Sequence, residues 1–115
     1  MLRRCEKADE LDINAAAAFA TNATGNMHFI HSFMPLVLKG KVKKVIALSS
    51  GHADLDLINR LDFETSTLYA ASKAALNVIV TKFHIQYKKD GVLCFSMSPG
   101  NLEVGHFATG MYPHL

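Results

Sequence analysis

Val45-Ile46-Ala47-Leu48-Ser49-Ser50-Gly51 is the stretch on which the fold turns. Four apolar residues in a row, two of them β-branched, run into two serines and a glycine. Length and composition predict a strand over Val42–Ser50, stopped by Gly51. A continuous apolar run, rather than an alternating one, predicts a strand covered on both faces, as in a parallel sheet.

Upstream, residues 9–38 read as helix. The alanines Ala15–Ala18 favour it, and Phe29, Phe33 and Leu36 recur at helical spacing. Asn22-Ala23-Thr24-Gly25 predicts a disturbance in its middle. Gly40 predicts a left-handed cap at its end. Downstream, Gly51–Leu68 is a long connection, with a short helix expected near Leu57–Leu61. Thr65-Ser66-Thr67 offers N-caps to a helix over residues 68–88. The first half of that helix is apolar on nearly every side, which predicts cover on two sides. Asp90-Gly91 predicts a turn, Val92–Met97 a second buried strand, and Ser98-Pro99-Gly100 a sharp stop. Helix, strand, helix, strand predicts a single α/β domain over residues 1–115, a partial doubly wound, Rossmann-like parallel sheet with long flanking helices. Two strands make a poor sheet, so neighbouring strands outside this sequence are implied.

Bulk properties narrow the class. Half of the 115 residues are hydrophobic and 19% are charged, which excludes a disordered or polar tail. Net charge is +2, and the clusters at Lys41, Lys43, Lys44 and at Lys88, Lys89 are too short for a nucleic-acid surface. Residues 13–38 lack Asp, Glu, Lys and Arg, but Asn14, Asn22, Asn26, His28 and His31 interrupt them. A buried helix pair is expected there, not a membrane span. Cys5 and Cys94 fit no metal or redox spacing and suggest reduced thiols in a cytoplasmic protein. The first residues lack the apolar run of a signal peptide. His28 and His31 stand at i, i+3 without a third ligand at sensible spacing, so no metal site is expected.

Tyr69-Ala70-Ala71-Ser72-Lys73 places a phenol and an ammonium on one helix face. An ammonium beside a phenol favours the phenolate. A phenol so tuned can give a proton to a carbonyl oxygen or take one from an alcohol.

Four elements in order resemble the short-chain dehydrogenase/reductase family. Asn22-Ala23-Thr24-Gly25 is similar to the family's N-x-x-G step, and Val45–Gly51 to its strand ending in serine. Tyr69–Asn77 resembles its Y-x-x-S-K helix, and Ser98-Pro99-Gly100 its proline-glycine turn. The resemblance covers about residues 11–105. It implies an oxidoreductase that uses NAD or NADP on a carbonyl/alcohol substrate. It makes Tyr69 the general acid/base and gives Lys73 to the phenolate and the nicotinamide ribose. Ser50 would hydrogen-bond the substrate carbonyl. Ser49 is its rival, but adjacent strand residues face opposite ways, and the family pattern favours the second serine. Asn22 would complete a proton relay through ordered water, and Pro99 and Gly100 would line the nicotinamide pocket.

The sequence also departs from the family. No G-x-G-x-x-G or T-G-x-x-x-G-x-G occurs, so the turn that holds the pyrophosphate is missing. After Gly100, where a threonine often stands, the stretch is Asn101-Leu102-Glu103-Val104-Gly105. The chain looks like the family's catalytic middle, and is expected not to turn over substrate alone. The alternative is a non-catalytic module that associates with a second copy through the two long helices.

Overall fold

A computed structural model describes residues 8–100. Cys5 and the stretch Asn101–Gly105 lie outside the described residues. Helix α1, Ala8–Phe19, leads through a π-helical turn, Ala20–Thr24, into α2, Gly25–Lys39. Strand β1 is Lys44–Leu48, shorter at both ends than the sequence suggests. A 3-10 turn at Gly51–Ala53 and the short helix α3, Leu55–Leu61, fill the long connection. Helix α4, Thr67–Tyr87, a 3-10 turn and strand β2, Leu93–Met97, follow. The two strands pair in parallel, with Ile46 opposite Phe95 and Leu48 opposite Met97. This is a partial Rossmann-like α/β fold, largely helical around a small parallel sheet.

The disturbance expected near Asn22 is the π turn. Gly25 N–H donates to the carbonyl of Ala20, five residues back, where an α-helix would use the fourth. A Cβ at Gly25 would stand 2.6 Å from that oxygen, so the widened turn accepts only glycine there. Side chains serve the loosened carbonyls: Asn26 Nδ2 donates to Asn22 O at 3.0 Å and to Thr21 O at 3.3 Å.

The core is a stripe where α2 and α4 meet the sheet. Ile30, Met34, Leu76, Val80, Ala47, Val92 and Cys94 are all buried. Burial at this scale stabilises by about 1.5–3 kcal/mol per large apolar side chain. Parallel pairing brings the carboxyl ends of both strands to one edge, and Ser49 N–H extends the ladder to Met97 O at 2.8 Å.

Three local expectations are corrected. Gly40 caps α2 in extended backbone (φ −77°, ψ 167°), because the chain turns directly toward β1 after a Gly40 N–H bond to Val37 O. Ser66 holds the N-cap place of α4 but is left-handed (φ 60°) and makes no side-chain cap bond. That geometry is costly for a residue with a Cβ. The described residues cover the strands on one face only: Ile46, Leu48, Leu93, Phe95 and Met97 are all exposed. Each lies on the side away from the helical stripe, since strand side chains alternate.

Asp54, by contrast, caps α3 fully, its carboxylate accepting from the N–H groups of Asp56 and Leu57. Among the described residues, no helix is long and apolar enough to cross a membrane.

Candidate active site

The carboxyl end of β1 and the first turns of α4 carry three of the sequence-predicted groups, Ser50, Tyr69 and Lys73, and set the last two beside each other. Lys73 Nζ donates to Leu48 O, the last carbonyl of β1, at 2.8 Å. A charge-assisted bond of that length fixes a side chain that would otherwise sweep freely. The same ammonium lies 5.8 Å from the centre of the Tyr69 ring. Burial lowers the Lys73 pKa from its ordinary value, because desolvation disfavours the charged form. Its proton is therefore less firmly held than that of a surface lysine.

Ser50 stands two residues past Leu48, in extended backbone. Its Oγ accepts the His52 N–H at 3.1 Å. A hydroxyl accepting from the backbone still has its own proton to donate. Ser49 Oγ, its rival, is buried with no hydrogen-bond partner.

Tyr69 remains 41% exposed, so its ring is open to an incoming molecule. The His52 ring meets it edge-on, with centroids 6.3 Å apart, and stacks on Phe63 at 5.0 Å. Such contacts orient the aromatic group without consuming the phenol.

Asn22 reaches the site through an intermediary. Its Nδ2 donates to Ser72 Oγ at 3.0 Å, and Ser72 Oγ donates to the Tyr69 carbonyl at 2.8 Å. Ser72 is fully buried. The π turn is thereby tied to the backbone of the helix turn that carries Tyr69.

Pro99 and Gly100 follow β2 at the same edge. Gly100 has φ +76°, and a Cβ built there would meet nothing within 4 Å. The glycine is thus required by its backbone angle and leaves open space beside the strand ends.

Sequence reasoning missed three participants: His52, Ser72 as a bridge, and the Leu48 carbonyl. Ser72 did carry a signal, as a lone hydroxyl on the apolar side of α4, three residues after Tyr69. His52 and the Leu48 carbonyl carried none, since both act through contacts distant in sequence. His28 and His31 are exposed on α2. Among the described residues no group of three His, Cys, Asp or Glu side chains is gathered for a metal.

Comparison with known proteins bears on this geometry. The family model described as short chain dehydrogenase matches residues 3–110. The short-chain dehydrogenase/reductase iacC of Pestalotiopsis fici is 58% identical over 102 residues, covering 89% of this chain and 38% of that protein. The short chain dehydrogenase virK of Hypocrea virens is 49% identical, covering 85% of this chain and 36% of its own length. The short-chain dehydrogenase/reductase AacuF of Aspergillus aculeatus is 41% identical, covering 70% and 30% respectively. The chain therefore spans less than two fifths of the length of these relatives. No solved structure matches.

Proposed function

This chain belongs to the short chain dehydrogenase family, and from that premise we propose that it carries the proton-transfer half of an NAD(P)-dependent oxidoreductase acting on a carbonyl/alcohol pair. The observation that supports this most is Lys73, fixed to Leu48 O and set beside the Tyr69 ring. That placement leaves the ammonium close enough to the phenol to act on it.

In the direction of reduction, Ser50 Oγ donates its free hydrogen to the substrate carbonyl oxygen and steadies the charge that develops there. Tyr69 Oη delivers a proton to that same oxygen, giving the alcohol. Lys73 keeps donors beyond the one spent on Leu48 O, since an ammonium has three. Those would hold the ribose hydroxyls of a bound nucleotide and return a proton toward Tyr69. Asn22 holds the Tyr69 turn in place through Ser72.

NAD or NADP, when bound, supplies the hydride. The residues present suit its nicotinamide end: Lys73, Tyr69 and the open turn at Pro99-Gly100. No glycine-rich turn in this sequence suits its pyrophosphate. Positioning alone can contribute about 7–11 kcal/mol to a rate. The 115-residue chain is accordingly proposed not to turn over by itself.

The test uses purified chain and a longer form carrying an upstream glycine-rich region, each assayed for NADH and NADPH oxidation with simple aldehydes and ketones. The longer form is expected to be active, and its Tyr69→Phe variant to lose about 10²–10⁴-fold. Turnover by the 115-residue chain alone, abolished by Tyr69→Phe, would overturn the reading of incompleteness. A longer form that keeps its rate as Tyr69→Phe would overturn the site.

A second reading draws on the helices. Phe29 and Phe33 pack against each other on α2, with ring centres 4.6 Å apart and planes tilted by 33°, and both are exposed. With Leu36 on α2 and Val78 and Ile85 on α4 also exposed, the two long helices offer apolar surface to a second copy. A non-catalytic association module would use only this surface. It predicts concentration-dependent sedimentation with no nicotinamide nucleotide binding at all.

A further inference from the structure

The connection between β1 and α4 does not loop into solvent. It folds back across α4, so that Leu55, Ile58 and Phe63 stand over Ala70, Ala71 and Ala74. Between the two layers is a cavity of about 250 Å³. Thr67, Ala70, Ala71 and Ala74 line it from α4, at i, i+3, i+4 and i+7, which is a single helix face. At 3.6 residues per turn, Tyr69 and Lys73 point well away from that face. Neither they nor Ser50 line the cavity, which therefore sits beside the acid/base groups and not among them.

The cavity has a definite chemical character. Its floor is three alanine methyl groups, its walls are mostly apolar with Thr65 and Thr67 among them, and Phe63 stacked with His52 adds an aromatic edge. Among the described residues no lysine or arginine lines it. An anion would lose hydration there with no cation to replace it. Enclosed apolar cavities of about 150 Å³ take up benzene. The space here is larger and open on one side.

We propose that this cavity is a binding site for a small, flat, uncharged aromatic molecule, distinct from the acid/base site. The alanine floor gives a ring a flat surface, and Phe63 and His52 give it an aromatic edge. His52 is the element common to both places. Its ring borders the cavity, and its N–H bonds Ser50 Oγ. A bound ring that shifts the His52–Phe63 pair is therefore felt at Ser50. The inference does not rest on hydride transfer, and its test is one of binding to the chain itself.

The test is a titration of isotope-labelled 115-residue chain with naphthol and, separately, naphthoate, followed by NMR of backbone amides and alanine methyls. Naphthol is expected to give saturable shifts at Ala70, Ala71, Ala74 and Phe63, carried through His52 to Ser50. Naphthoate, the same ring with a negative charge, is expected to bind at least about tenfold more weakly, a difference of about 1.4 kcal/mol. Ala74→Phe fills the floor and should weaken naphthol by about tenfold or more. Should that variant misfold, Ala71→Leu, at an exposed position of the same floor, tests the same point. Three results would overturn the proposal: no saturable shift, equal binding of naphthol and naphthoate, or binding unchanged in a folded plugged variant.

Discussion

The two faces of the β1–β2 pair are built from neighbouring residues of the same strands, yet they have opposite fates. On one face Ala47 and Cys94 are 8% and 4% exposed, pressed against Met34, Leu76 and Val80. On the other, Ile46, Leu48, Phe95 and Met97 range from 37% to 56% exposed. The exposed residues are in fact the larger and more apolar ones. What differs is what the described chain has to lay over them. Burial is thus a property of the neighbours available and not of the residue. A strand apolar on both faces states a need that only one face meets here. Tyr69 and Lys73 lie at the end of these strands because α4 crosses the covered face and carries Lys73 to the last carbonyl of β1.

The sharpest way to break this comparison is to cut both faces. Leu76→Ala on the covered side should cost about 2–5 kcal/mol in denaturant unfolding. Phe95→Thr on the bare side should cost no more than about 0.5 kcal/mol. Comparable losses would mean that the bare face is covered in solution by a second copy.

Next in size is Gly25→Ala. Its methyl group would collide with Ala20 O, and forcing the π turn to rearrange should cost about 1–3 kcal/mol. Faster amide exchange around Ser72 should accompany the loss, because Asn22 would be moved from its partner. A variant as stable as the parent would show that the turn can close without the glycine.

A smaller effect is expected at the outer edge of β2. There His84 Nδ1 accepts the Cys94 N–H at 3.3 Å, serving a donor that β1 does not use. His84→Leu should cost about 1 kcal/mol, the worth of one such bond. No loss would show that water serves the edge equally well.

The smallest effect concerns the Cys94 thiol, which burial pushes above its ordinary pKa. In a Cys5→Ser background, native chain should be alkylated far more slowly than unfolded chain at equal pH. Because the folded value is raised, its contribution to stability is complete below the ordinary thiol range. It is lost as pH rises through the raised value. Equal alkylation rates would place Cys94 on the surface.

Much of this was legible in the sequence because it depends on local pattern. The order of elements followed from apolar periodicity and from the breaks at Gly51, Asp90-Gly91 and Pro99-Gly100. The proximity of Tyr69 and Lys73 followed from their positions on one helix face. The unread parts depend on contacts between segments far apart. Nothing near His52 announces that it will stack on Phe63, and nothing near Leu48 announces that its carbonyl will hold an ammonium. Gly40 and Ser66 misled for a related reason. The path of the chain into the next element set their backbone angles, over the preferences of glycine and serine at helix ends.

The central claim is that this chain by itself anchors Lys73 between Leu48 O and Tyr69, as the proposed acid/base role requires. The direct measurement is a pH titration of the lysine side chains by nitrogen-15 and carbon-13 NMR, with Lys73 assigned through Lys73→Arg. The account predicts that Lys73 loses its proton below the ordinary lysine value, and that its ammonium hydrogens exchange slowly. Below that lowered value its charged form carries a desolvation cost, which disappears as pH rises through it. A Lys73 that titrates at the ordinary lysine value, with freely exchanging ammonium hydrogens, would contradict the account.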